Sequence, residues 1–166
     1  MSDPNEELQV EIKGLMLDPS SNVPIVILRD TRSQLFLPIW IGVFEANAIA
    51  LRLEGVDPPR PMTHDLLRVM LEQLGGEVEK IVISDLKEST FFAQIHVKNP
   101  ECSAAIDARP SDAIALALRT GSPIFVLRSV LDKAQAVDLA SDATDEEKLK
   151  KWLEEISPED LGKWTM

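Results

Sequence analysis

Glu45, Asp65, Asp85, Asp107 and Asp112 fall near the ends of predicted helices and strands, together with His64, Arg60, Arg109 and Ser111. Carboxylates are the oxygen ligands that Mg²⁺ or Mn²⁺ prefers, and such an ion can activate a water for in-line attack on phosphorus. A histidine adds a group able to move a proton near neutral pH. The set is therefore compatible with phosphodiester hydrolysis if the fold brings its members together.

Each residue also has a structural explanation. Glu45, Asp65 and Asp112 all lie in a predicted first helical turn, where the helix dipole and unpaired N–H groups favour an acid without any catalytic role. His64 follows a cap candidate, Thr63, and either serves as a base or is merely half-exposed there. Asp107 and Arg109 read equally as an ion pair or as a substrate clamp. His96 lies on the strand face shared by Phe92, Gln94 and Lys98, opposite Phe91, Ala93 and Ile95, and is expected to face solvent. Cys102 has no neighbouring His or Cys and is given no role. The phosphate-cradling Gly-x-x-x-x-Gly-Lys loop, the His-Glu-x-x-His helix and the Gly-x-Ser-x-Gly elbow are absent from the sequence.

The elements that must position these side chains follow from hydrophobic periodicity. Alternating or β-branched runs at 10–17, 23–28 and 35–40, separated by DPSSN and DTRS turns, predict three antiparallel strands. An Ala- and Leu-rich stretch at 42–53 predicts a mostly buried helix, with Phe44, Ala48 and Leu51 on one side, ending at Gly55. After a stiff Pro-rich connector, Leu66, Leu67, Met70, Leu71 and Leu74 mark a second helix stopped by Gly75-Gly76. Strands are predicted again at 78–84, 90–97 and 103–106, then a helix at 110–119 and a short strand at 124–127.

Three strands and a helix thus occur twice, and AIALAL at 113–118 matches AIALRL at 48–53. The fold class is α+β: two strand-strand-strand-helix units, at about 8–55 and 77–121, with an extra helix between them. The shared Ala and Leu also fit two buried helices converging on good helix formers. The main domain is assigned to 1–137. An acidic tail, 138–166, is expected to carry a short helix capped by Thr144, with Leu149, Trp152, Leu153 and Ile156 at helical spacing. That tail docks either on the domain's own core or on a partner.

A chain of 166 residues, 45% hydrophobic and 27% charged, suits one globular domain of ordinary size. The single cysteine allows no internal disulfide, the acidic start MSDPNEE is unlike an export signal, and charges interrupt every apolar run. A soluble cytoplasmic protein with no membrane partner is the expectation. The formal net charge of −11 opposes casual phosphate binding, and aromatic residues make up only 5%, a poor supply for base stacking.

The segments PIWIGVFEA at 38–46, RPMTHDLL at 60–67 and DARPSDAIALALR at 107–119 resemble the bifunctional nuclease family, in its bacterial single-domain form. DPSSN at 18–22 with Pro24, PIFV at 123–126 and PEDLGK at 158–163 fit the same pattern, so the resemblance spans about residues 10–133 and part of the tail. It implies hydrolysis of DNA or RNA, a homodimer and no organic cofactor. Placed on that pattern, Glu45, Asp107 and Asp112 are expected to bind a divalent metal, Mg²⁺ or Mn²⁺. His64 or Asp65 would move the proton, and Arg60 and Arg109 would hold the phosphate. The rival expectation, from a different class, is a non-catalytic dimeric module that binds a small anionic ligand or a protein partner through the same surface.

Overall fold

The structure, a computed structural model, describes residues 2–134 and 137–138. Strands β1 (Glu7–Leu17), β2 (Pro24–Asp30) and β3 (Leu35–Trp40) form an antiparallel meander that leads into helix α1 (Val43–Leu53). Helix α2 (Thr63–Gln73) follows. A second antiparallel meander of β4 (Glu77–Lys87), β5 (Thr90–Lys98) and β6 (Ser103–Ala108) leads into α3 (Pro110–Thr120). Then come β7 (Ile124–Leu127), α4 (Arg128–Lys133) and β8 (Val137–Asp138).

β7 is the joint between the meanders. It pairs antiparallel with β1 and parallel with β4, giving one eight-stranded mixed sheet in the order β6-β5-β4-β7-β1-β2-β3-β8. The α+β class and both strand-strand-strand-helix units read from the sequence are present. α4 and β8 are additions: the first is only six residues long and the second two, too short for a periodic signal. The expected division between residues 137 and 138 falls inside β8, whose Val137 and Asp138 pair with Phe36 and Leu35. The expected tail helix at Leu149, Trp152, Leu153 and Ile156 lies outside the described residues.

The core explains which helices are fixed. β2 is buried along nearly its whole length, so it reads as a continuous apolar run instead of an alternation. α3 is the central helix: residues from Ala113 to Ala117 are buried, Ile114 completely, and it packs against α1, α2, β4 and β5. Pro110 opens it at a position whose N–H would be unpaired anyway, and Gly121 closes it at φ 71°, the left-handed conformation that favours glycine.

The expectation that α1 is mostly buried is corrected. Only Ala46 and Ile49 of that helix are buried, one turn apart on a narrow stripe. Phe44 precedes Ala46 by two residues, about 200° around the helix, and is 87% exposed. α2 has no buried residue at all, and Leu66, Leu67, Met70 and Leu74 are exposed along it. Its placement depends on its first turn.

Candidate functional site

Three helix starts meet on one side of the sheet. Glu45 is in the first turn of α1, His64 and Asp65 in that of α2, and Asp112 in that of α3, with Arg109 as the residue that caps α3. Unpaired N–H groups and the helix dipole favour negative charge at these positions, as expected from their place in the first helical turns. What periodicity could not show is that the three turns face one another.

The side chains form a continuous chain of polar contacts. His64 Nε2 lies 2.9 Å from Asp112 Oδ1; Arg109 Nε donates to Asp112 Oδ2 at 2.7 Å; and Arg109 Nη1 donates to Glu45 Oε1 at 3.1 Å. Hydrogen bonding to His64 holds the Asp112 carboxyl down to about 2; burial opposes this and Arg109 reinforces it. Arg109 is raised above its ordinary value, chiefly by its bond to Asp112. Asp112 is therefore a carboxylate at neutral pH and can only accept, so His64 Nε2 is the donor in this contact, and in the neutral form of the ring Nδ1 is then the acceptor nitrogen. His64 is nearly buried, its side chain 12% exposed.

These groups line a cavity of about 340 Å³, within the size range of small-ligand sites. Its walls differ in character: Phe44, Leu51 and Met62 on the apolar part, His64, Arg109 and Asp112 on the polar part.

A second contact fixes α2 from beneath. Arg119 Nε donates to Asp65 Oδ1 at 2.8 Å, while its two Nη atoms donate to Ala115 O at 2.8 Å and Ala48 O at 2.9 Å. Burial would raise the Asp65 pKa, but the Met62 N–H at 3.0 Å and Arg119 outweigh it and hold it below the usual value. The helix accordingly begins with Met62 as the capping position and Asp65 reaching back to it, where Thr63 was expected as the cap. Arg119 borders both the first cavity and a neighbouring one of about 430 Å³, which Arg52 and Arg68 also line.

Of the residues expected to act, the structure brings together Glu45, His64, Arg109 and Asp112, and sets Asp65 beside them on Arg119. Asp107 is not among them: it is exposed on β6 opposite Gln94, with no hydrogen bond or ion pair among the described residues. Arg109 pairs with Asp112 and Glu45 instead of Asp107. Arg60 is exposed in the connector and borders neither cavity. Asp85 is held down to about 2, first by Lys133, and ties β4 to α4. Ser111 is buried, and its Oγ has no hydrogen-bond partner among the described residues.

The donor set does not fit the expected metal. Glu45, Asp107 and Asp112 do not converge, Arg109 already occupies the first and last, and no group of three His, Cys, Asp or Glu among the described residues is arranged to hold an ion. Arg119 and Phe44 were not foreseen as parts of this region. Arg119 carried no signal beyond a basic residue in a last helical turn, and Phe44 read as a core aromatic.

Comparison with known proteins gives a consistent result. A profile of the bifunctional nuclease domain matches residues 26–138. An uncharacterized protein of Mycobacterium tuberculosis (strain ATCC 25618 / H37Rv) is 41% identical over 164 residues, covering 92% of this chain and 97% of that protein. Bifunctional nuclease 1 of Oryza sativa subsp. japonica is 27% identical over 116 residues, and Bifunctional nuclease 1 of Arabidopsis thaliana 28% over 116. Each plant match covers 68% of this chain but only 35% and 36% of the plant protein, so the chain spans about a third of their length.

Proposed function

Because the chain belongs to the bifunctional nuclease domain family, we propose that it hydrolyses phosphodiester bonds of DNA or RNA in the cavity between the starts of α1, α2 and α3. The observation that carries this reading is the oriented His64–Asp112 pair, with Arg109 on the other Asp112 oxygen.

The chemistry follows from those contacts. Asp112 fixes the tautomer and ring orientation of His64, which leaves Nδ1 to accept a proton from an attacking water. Oxygen attacks phosphorus, the bond to the leaving oxygen breaks, and the proton taken by His64 passes to that oxygen. Arg109 keeps its Nη2 for a phosphate oxygen while Nε and Nη1 stay on Asp112 and Glu45. Among the described residues the acids do not form a cage for a metal ion.

The test is cleavage of single- and double-stranded DNA and RNA by wild type and His64→Gln, with Mg²⁺, Mn²⁺ or chelator. Loss of cleavage in a variant that melts like wild type supports the reading; equal cleavage by the variant contradicts it.

A second reading is a non-catalytic module that binds a small anionic ligand or a protein partner; it is favoured only in that the net charge of −11 and the pairing of both cavity arginines with acids weaken attraction to a nucleic-acid backbone. It is distinguished by thermal stabilisation with ligand and no turnover. For assembly we propose a homodimer through the exposed Leu66, Leu67 and Met70 of α2 and Leu74 at its C-terminal cap, apolar surface of the kind that marks a protein interface. No helix among the described residues is long and apolar enough to cross a membrane. A cytoplasmic location is proposed on the lone cysteine, which is exposed and cannot form an internal disulfide.

A further inference from the structure

Phe44 is 87% exposed, yet it borders the same cavity as His64, Arg109 and Asp112. Leaving an aromatic ring in water forgoes the burial that usually holds such a residue in the core. The adjacent residue Glu45 is tied to Arg109, which fixes the turn of helix that carries the ring. The ring therefore stands at a defined place on the border of a cavity whose lining also carries the polar groups His64, Arg109 and Asp112.

We infer that Phe44 is a stacking platform for one unpaired base, with the adjoining phosphate directed to Arg109 and His64. The occupant is thus a single strand, since a base inside a duplex has its faces covered and cannot stack on a side chain without being extruded. Met62 and Leu51 extend the apolar wall on which the base rests.

Charge supports the same occupant. A duplex carries the denser phosphate charge, and a chain of net charge −11 repels it more strongly. Stacking is independent of that charge and works with every base, which gives an acidic protein a source of affinity that arginine pairs do not supply here. One well-placed ring suffices for one base, so the low aromatic content does not oppose it. The inference rests on the nuclease reading of this cavity, from which its test is kept separate.

Fluorescence anisotropy of labelled 12-nucleotide oligothymidylate, and of a blunt DNA duplex of equal length, would be measured with wild type, Phe44→Ala and Phe44→Trp. Chelator is present in these titrations, cleavage is followed separately, and each protein's sedimentation is recorded. Wild type should bind the single strand more tightly than the duplex. Phe44→Ala should weaken single-strand binding about 5- to 150-fold and leave duplex binding unchanged, and Phe44→Trp should restore it. Equal single-strand affinity in wild type and Phe44→Ala overturns the inference, as does a Phe44→Ala effect confined to sedimentation, which would assign the ring to an interface between proteins. Cleavage by wild type with no Phe44 effect on affinity removes the platform but leaves the nuclease reading standing. Phe44-dependent binding with no cleavage removes the nuclease reading and leaves the platform.

Discussion

Arg119 of α3 holds Asp65 of α2 at 2.8 Å across 54 residues of sequence, and the arginine side chain is 3% exposed. This contact and the His64–Asp112 contact are both at the first turn of a helix that buries none of its own residues. α2 is therefore placed by polar contacts at one end. Removing one partner of a buried pair leaves the other charge unpaired, which costs about 3–5 kcal/mol. Asp65→Asn should lower stability by roughly that amount in urea unfolding, and Asp65→Asn with Arg119→Met should recover part of the loss. A change below about 0.5 kcal/mol in the single variant would show that α2 is held by something else.

Acid should weaken the fold through two carboxylates. Asp112 and Asp85 are both held at about 2, below the ordinary 3.8. A group with a lowered folded pKa contributes stability above its unfolded value, and that contribution is lost as pH falls through the folded one. Stability should therefore decline from about pH 4 toward pH 2, and Asp112→Asn and Asp85→Asn should each flatten that slope. Urea midpoints between pH 2 and 5 would check this. An unchanged slope in both variants would contradict it.

The DPSSN segment should prove structural. Asp18 is 1% exposed; its Oδ2 accepts from Trp40 Nε1 at 2.9 Å, and its Oδ1 accepts from the N–H of Ser20 at 2.9 Å and its Oγ at 2.8 Å. Asp18→Ala should cost about 1.5–3 kcal/mol of stability, the range for hydrogen bonds to a charged group. The same variant, where folded, should cleave or bind as wild type does. Thermal melting and the activity assay together decide it.

Asp107→Asn should change little. The side chain is exposed and has no ion pair or hydrogen bond among the described residues. Stability within about 0.5 kcal/mol of wild type, and turnover within about twofold, are expected. Loss of activity in this variant, restored by excess Mn²⁺, would return Asp107 to a metal-binding role.

Much of this architecture was legible in the sequence because it rests on periodicity. β-branched alternation located β1 to β7, Pro110 marked the start of α3, and the repeat AIALRL and AIALAL aligned two helices whose Ile49 and Ile114 are both fully buried. Residue type also located the acids in first helical turns. What periodicity does not carry is the relation between elements distant in the chain. Glu45, His64 and Asp112 meet only because α1 and α2 both pack on α3, and Asp107, five residues before Asp112, is left on an edge strand outside the site. Phe44 was misread for the same reason: an aromatic in an Ala- and Leu-rich helix looks like core until the buried stripe is known to be Ala46 and Ile49 alone.

The most direct test of the central claim is the cleavage rate of a labelled single-stranded oligonucleotide by wild type and by His64→Gln purified identically, with matched melting temperatures. A general base of this kind contributes about 10²- to 10⁴-fold. A loss in that range, in a protein that still binds the oligonucleotide, is the expected result. Equal rates, or no cleavage by wild type under any metal condition, would contradict a nuclease centred on His64 and Asp112.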